Sequence, residues 1–343
     1  MLEKPDIQDN EILHCVRDGF GLNVLQVVFL PLGADRNTAV YRGVADDATP
    51  YFVKLRRGVF DEITVMAPRL LYDQGVRQVI PPLPTRSQQL WARLGDFTLT
   101  VSPFVEGQDG YEVNLSDQHW VDFGSALKGI HTAVIPPTII DRVQRETYSP
   151  HWREIVKGFQ ALVEDTSFAN PVAAELAAFL RLKYDEVSEL VSRAERLASV
   201  LQARSLPFIL CHADVHAGNV LINANGTLYI VDWDTLTLAP KERDLMFVGG
   251  GQFGNLRTAQ EEETLFYRGY GQTQVDPVAL VYYRYERIVQ DIAAYCEQIL
   301  LTDEGGKDRE EGLCQLTGQF SPNAVVEMAY RSEKRLPQEL KSR

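Results

Sequence analysis

Three oxygen-bearing side chains, Asp214, Asn219 and Asp232, pose the chemical question in this chain. They lie within the stretch ILCHADVHAGNVLINANGTLYIVDWD, residues 209–234. A short apolar strand over Phe208–Leu210 leads into a polar loop over His212–Asn219. Val220–Ile222 and Leu228–Val231 then read as the arms of a hairpin with Asn225-Gly226 at its turn, the strongest short-range hairpin signal. Such a hairpin folds Asp232 back towards Asn219, and a converging set of oxygens suits a hard cation and a phosphate rather than a soft metal. Magnesium is the expected ion. Asp214, in the loop, is the candidate base: a carboxylate beside a substrate hydroxyl accepts its proton as the oxygen attacks phosphorus. His212 is expected to brace the loop. Taken singly, Asp214 reads more readily as a structural Asx-turn and His212 as a satisfied core histidine, while Asn219 and Asp232 also read as hairpin-end residues that satisfy backbone groups.

Other residues fit the same chemistry. Lys54 sits in the alternating strand Tyr51-Phe52-Val53-Lys54-Leu55 and is expected to reach nucleotide phosphates, with Glu62 as its carboxylate partner. Gly33 opens a connection, Gly33-Ala34-Asp35-Arg36-Asn37-Thr38, whose backbone N–H groups would lie over phosphates. Ser102, Phe104 and Val105 flank Pro103 and would present backbone groups to an adenine edge, since proline has no N–H to donate. Asp234, Glu242, Asp244 and Glu286, together with Asp291, supply anions for a cationic substrate, and Trp233 and Tyr270 supply apolar walls. Each acid alone also reads as an ion-paired surface group, and Asp244, beside Arg243, as a helix cap or loop anchor.

The elements that must position these groups change character along the chain. Residues 7–20 predict a helix, followed by β-type runs over 24–30, 39–44 and 50–55. A helix over 61–73 closes at Gly75, and runs at 89–94 and 97–102 flank Gly95-Asp96. The segment Pro103–Gly110 is the predicted boundary. Beyond it helices dominate, at about 116–131, 152–162, 171–203 (long enough for two), 261–270, 277–300 and 323–334, with a polar tail from Arg335. The expected fold class is α+β: a small β-rich N-lobe over 1–103, a linker over 104–110 and a larger, mostly helical C-lobe over 111–343. Clefts between lobes are where ligands usually bind.

Composition narrows the class. The chain has 343 residues, 45% hydrophobic and 24% charged, which is ordinary for a soluble globular protein. No apolar run approaches the roughly 20 residues of a membrane span. The N-terminus lacks the basic start and apolar core of a secretory signal, so a cytoplasmic protein is expected. Four scattered cysteines form neither a zinc pattern nor a disulfide framework. A net charge of −13 disfavours nucleic-acid and anionic-membrane partners and is compatible with a cationic small molecule, although acidity also serves solubility alone. Nothing in the sequence sets an oligomeric state, and a monomer is compatible with it.

Together, His-x-Asp, an Asn five residues after the Asp, and an apolar hairpin ending in another Asp match the kinase catalytic loop and metal aspartate in type and order. The chain resembles the aminoglycoside phosphotransferase family, a branch of the protein-kinase-like fold. Cys211–Leu221 is similar to its catalytic loop and Ile230–Asp234 to its metal-binding segment. The likeness extends to Ala239–Phe247, Tyr148–Val156, Tyr283–Ala293, Phe52–Leu55 and Asp61–Ile63. It implies a bilobal kinase-like fold and ATP- and Mg²⁺-dependent phosphorylation of a hydroxyl on a cationic aminocyclitol antibiotic. Asp214 would be the base, Asn219 and Asp232 the metal ligands, and Lys54 the nucleotide contact. Trp233-Asp234 stands where regulated protein kinases carry Phe-Gly, and Ala213 where they carry arginine, which implies a small-molecule kinase without their switch. Two other readings stay open: the same fold acting on a metabolite hydroxyl (a sugar, a choline-like amine or an amino acid), and a non-catalytic binder of nucleotide or antibiotic.

Overall fold

The structure, a computed structural model, describes residues 4–33, 37–254, 256–302 and 305–341. In chain order the elements are α1 (Asp9–Cys15), β1 (Val24–Leu30), β2 (Thr38–Ala45), β3 (Pro50–Arg57), α2 (Ile63–Asp73), β4 (Ala92–Leu94), β5 (Phe97–Pro103) and β6 (Gly107–Asp109). They continue with α3 (Asp117–Thr132), α4 (Pro137–Ile140), α5 (His151–Asp165), α6 (Pro171–Leu182), α7 (Tyr184–Gln202), β7 (Ile209–Cys211), β8 (Val220–Asn223), β9 (Leu228–Ile230) and β10 (Thr237–Ala239). The last are α8 (Glu242–Leu245), α9 (Ala259–Tyr270), α10 (Pro277–Leu300), α11 (Gly306–Gly318) and α12 (Val325–Ser332).

The chain forms two compact units, and neither is continuous in sequence. One comprises Met1–Val113, Thr132–Val143 and Gly218–Leu236; the other comprises Asn114–His131, Gln144–Ala217 and Thr237–Arg343. The hairpin carrying Asn219 and Asp232 thus groups with the N-terminal segment, and Asp214 with the helical unit.

The first unit is built on an antiparallel sheet in the order β1-β2-β3-β5-β4. Strand alternation puts Val53 and Leu55 into the core beneath this sheet with Tyr41, Leu99 and Val101, and leaves Phe52 and Lys54 on its other face. Ile12, Val16 and Phe20 close that core from the N-terminal helical segment. The helix predicted over 7–20 divides there: α1 ends at Cys15, and a π-helical turn over Val16–Phe20 runs to Gly21 at φ 74°. A second sheet, β6-β8-β9, joins residues 107–109 to the hairpin, so part of the predicted linker is a strand.

The hairpin turn is longer than Asn-Gly suggested. Ile222 pairs with Leu228, and Asn223 closes the loop by accepting the Asn225 and Thr227 N–H groups on its side-chain oxygen. The expected consequence still holds, because Val231 donates its N–H to the Asn219 carbonyl at 3.0 Å. That bond sets Asp232 next to Asn219.

The second unit is organised around α10. Asp276 caps it through the Val278 and Ala279 N–H groups, and Pro277 starts it without a wasted donor. The helix packs against α5, α6, α7, α8, α11 and α12. The 171–203 segment divides into α6 and α7, and α11 was not legible as a separate helix.

Candidate active site

In the first unit, β3 presents Lys54 and Arg56 on one strand face. Both reach the same carboxylate oxygen: Lys54 Nζ lies 2.8 Å and Arg56 Nη1 2.7 Å from Asp234 Oδ2. Asp232 Oδ1 lies 3.5 Å from Lys54 Nζ. Burial opposes the charge on Lys54, but the Asp232 and Asp234 carboxylates outweigh it and raise the ammonium pKa above its ordinary value. Asp232 holds a left-handed backbone conformation, φ 63°, which costs a non-glycine residue roughly 1–2 kcal/mol. Its side chain is half-exposed, and Asn219 beside it is buried. The donor set is oxygen throughout, which fits a hard cation such as magnesium.

Glu62 does not join this group. It sits at the N-cap of α2, accepts a hydrogen bond from the Trp91 indole N–H at 3.2 Å, and pairs with Arg142 at 3.2 Å. Among the described residues no ion pair links it to Lys54, whose carboxylate partners come from the segment after β9. The sequence expectation is corrected on this point: Glu62 is too early in the helix, one residue before its first turn.

Of the backbone groups expected at residues 102–105, one is already engaged. Ser102 lies within β5, opposite Phe52, and Phe104 donates its N–H to the Pro50 carbonyl at 3.2 Å, so that donor is already used. Val105 is half-buried just past β5. Gly33 takes a left-handed φ of 84°, with open space where a Cβ would stand; residues 34–36 of the same expected loop lie outside the described residues.

In the second unit, the catalytic-type loop follows β7 and is fixed by one carboxylate. Asp244 is fully buried; its Oδ2 accepts the His212 N–H at 2.9 Å, and its Oδ1 accepts the Ala213 N–H at 2.6 Å. His131 Nε2 stands 2.8 Å from the same Oδ2, and its Nδ1 stands 2.8 Å from the Tyr270 hydroxyl. Burial would raise the Asp244 pKa, but His131, His212 and the Ala213 N–H outweigh it and hold the carboxyl below its ordinary value. His212 is itself buried and accepts the Asp214 N–H on Nδ1 at 3.3 Å, which is the bracing expected of it.

Asp214 emerges from this frame into an ionic cluster. Arg287 of α10 hydrogen-bonds to its Oδ1, and His216 Nε2 lies 3.8 Å from its Oδ2. Arg287 Nε is 2.8 Å from Asp291 Oδ1, and Gln319 donates to Asp291 Oδ2 at 2.9 Å. Burial would raise the Asp214 pKa; Arg287, His216 and His212 outweigh it and lower it.

Most of the expected substrate contacts are engaged elsewhere, which corrects the sequence reading. Asp244 and Tyr270 belong to the buried frame of the loop. Glu242 is buried, accepts the Asp276 N–H at 2.9 Å and pairs with Lys241 at 3.2 Å. Glu286 is buried 3.4 Å from Arg153, and burial raises its pKa to about 7 against the pull of that arginine. The Trp233 ring is buried and its N–H is spent on the Ile230 carbonyl. Asp234 alone of the six keeps a partly exposed carboxylate, and it is held by Lys54 and Arg56. The pattern reading failed here because Glu242, Asp244 and Glu286 are buried, and buried acids must be paired. Two cations it missed were accessible to it: Arg56 follows Lys54 at strand period, and Arg287 precedes Asp291 by one helical turn.

Residues 28–277 match the phosphotransferase enzyme family, APH. The chain belongs to this family. It is similar to a solved structure of spectinomycin phosphotransferase, APH(9)-Ia, in complex with ADP and spectinomycin, at 35% identity and a TM-score of 0.89, covering 96% of this chain and 100% of that one. A curated relative, protein StrN of Streptomyces griseus, is 29% identical over 63% of this chain and 67% of its own length. An aminoglycoside phosphotransferase from Alicyclobacillus acidocaldarius, at 15% identity and a TM-score of 0.63 over 97% of this chain and 98% of that one, shares the fold. The phosphotransferase has the protein-kinase-like fold expected for its family: an N-terminal five-stranded antiparallel sheet followed by a mostly helical region. No described helix is long and apolar enough to cross a membrane.

Proposed function

We propose that this phosphotransferase moves the γ-phosphoryl group of ATP to a hydroxyl of a cationic aminocyclitol, spectinomycin being the first candidate. The observation that carries the reading is the 35% identity to a spectinomycin phosphotransferase over almost the whole of both chains. Lys54, Asp214, Asn219 and Asp232 supply a complete set of phosphate, base and metal groups, which opposes the reading as a mere binder.

The acceptor hydroxyl gives its proton to Asp214 as its oxygen forms the new bond to phosphorus. The bond from that phosphorus to the bridging oxygen breaks, and its electron pair leaves with ADP. The transition state of such transfers is loose, so orienting the hydroxyl matters more than strong basicity, and a carboxylate of lowered pKa suits that task. Lys54 binds phosphate oxygens. Asn219 and Asp232 would hold magnesium, which when bound neutralises charge on the phosphates.

The test is ADP release measured over spectinomycin, other aminoglycosides, sugars, choline-like amines and hydroxyamino acids. Release driven by spectinomycin is expected, and is lost by roughly 10²–10⁴-fold in Asp214→Asn. Turnover with a metabolite alone overturns the acceptor, and nucleotide binding without turnover on any of them overturns the enzyme reading.

A further inference from the structure

Asp214 does not stand alone at the end of its loop. A chain of charge-assisted contacts runs from Gln319 to Asp291, from Asp291 to Arg287, and from Arg287 to Asp214, crossing from α11's C-terminal end through α10 to the loop. Arg287 and Asp291 are one turn apart on α10, and the guanidinium also lies over the Phe247 ring at 5.8 Å. The two carboxylates and the guanidinium between them are each less than one-fifth exposed. A planar guanidinium hydrogen-bonded to one carboxylate, ion-paired with a second and lying over a ring has little freedom to turn.

We propose that Arg287 is a positioning residue for Asp214: set beside Asp291, it holds Asp214 Oδ1 and so fixes the orientation of the base carboxylate. Buried carboxylates without a cation take up protons, and a carboxylate free to rotate presents the wrong oxygen for part of the time. Arg287 removes both failures. Asp291 has the opposite electrostatic effect on Asp214, because its own negative charge disfavours a second one nearby, and it draws part of the guanidinium's charge to itself.

This gives two variants that move one property in opposite directions. The charged and titratable groups facing Asp214 are Arg287 from α10 and His212 and His216 from its own loop, with Asp291 behind Arg287. In Arg287→Met the acid limb of kcat/KM moves to higher pH, by roughly one to three units for loss of an adjacent opposite charge. In Asp291→Asn it moves to lower pH. Arg287→Lys returns the limb most of the way but leaves kcat reduced roughly ten- to a hundredfold, because an ammonium on a flexible stem does not keep the fixed orientation of a planar guanidinium between two carboxylates.

The inference rests on Asp214 being the base of the proposed reaction, so a second readout is independent of turnover. Carbon-13 NMR titration of the Asp214 carboxyl, assigned by its loss in Asp214→Asn, should follow the same two directions. Shifts in that titration with no acceptor turned over would keep the positioning role and overturn the proposed function. Unmoved titrations and acid limbs in both Arg287→Met and Asp291→Asn, with at most a uniform fall in kcat, overturn the positioning role.

Discussion

Asp244 holds Ala213 in a conformation that alanine avoids: its Oδ1 accepts the Ala213 N–H at 2.6 Å, and Ala213 sits at φ 69°. The same carboxylate takes the His212 N–H and faces His131. The residue just before the candidate base is therefore strained, and a fully buried anion keeps it so. Asp244→Ala would leave two backbone donors and an imidazole buried without their partner. Loss of one member of a buried charged network costs about 3–5 kcal/mol, and thermal unfolding should show it together with loss of phosphotransfer. Asp244→Asn keeps the shape but offers a donor where an acceptor is needed, and should fall between the two.

Glu62 provides a test in the opposite sense. Its carboxylate is tied to Trp91 and Arg142, both outside the Lys54 cluster. Glu62→Gln should leave kcat and the KM for nucleotide within about twofold of the parent, as expected for a partly exposed pair worth about 0–1 kcal/mol. A large rise in nucleotide KM would show that Glu62 and Lys54 act together after all.

Lys54, in turn, should depend on the carboxylates after β9. Lys54→Met removes the cation that faces Asp232 and Asp234, and initial rates at varied ATP should show a fall in kcat/KM of about 10²–10³-fold, the scale for losing one preorganised electrostatic group. Asp234→Asn keeps the oxygen that Lys54 and Arg56 share but removes its charge, so its loss should be smaller than that of Asp232→Ala. Equal losses would make Asp234 a metal ligand as well.

How far these groups were legible in the sequence follows from how local their partners are. Asn219 and Asp232 meet through a hairpin only a dozen residues long, so strand alternation and a turn signal sufficed. The match of Val231 to Asn219 confirms that reasoning even though the turn itself is longer. Asp214 was marked by residue type and spacing, but what holds it was not. Arg287 lies 73 residues away and His131 lies 113 from Asp244, and helix periodicity assigns a face without naming the residue it meets. The same limit hid the pairing of β6 with β8 and the division of the chain into two discontinuous units. Acids on buried helix faces were misread as pocket linings because composition sees charge and not whether it is already paired.

Glu286 turns that misreading into a pH prediction. Burial raises its pKa to about 7, Arg153 at 3.4 Å pulls it down, and its Oε2 has no hydrogen-bond partner. In the unfolded chain the carboxyl returns to about 4.3. Between these values the folded state holds a proton that the unfolded state has lost. The stabilising difference is fully present below the unfolded pKa and is lost as pH rises through 7, by on the order of 3 kcal/mol. Glu286→Gln has no carboxyl to ionise and keeps a similar shape. Urea unfolding at pH 5 and pH 8 should therefore show the variant gaining stability relative to the parent at the higher pH, with the two closest at the lower. An unchanged difference between the two pH values would mean that Glu286 is ionised in both states, with Arg153 compensating for its burial throughout.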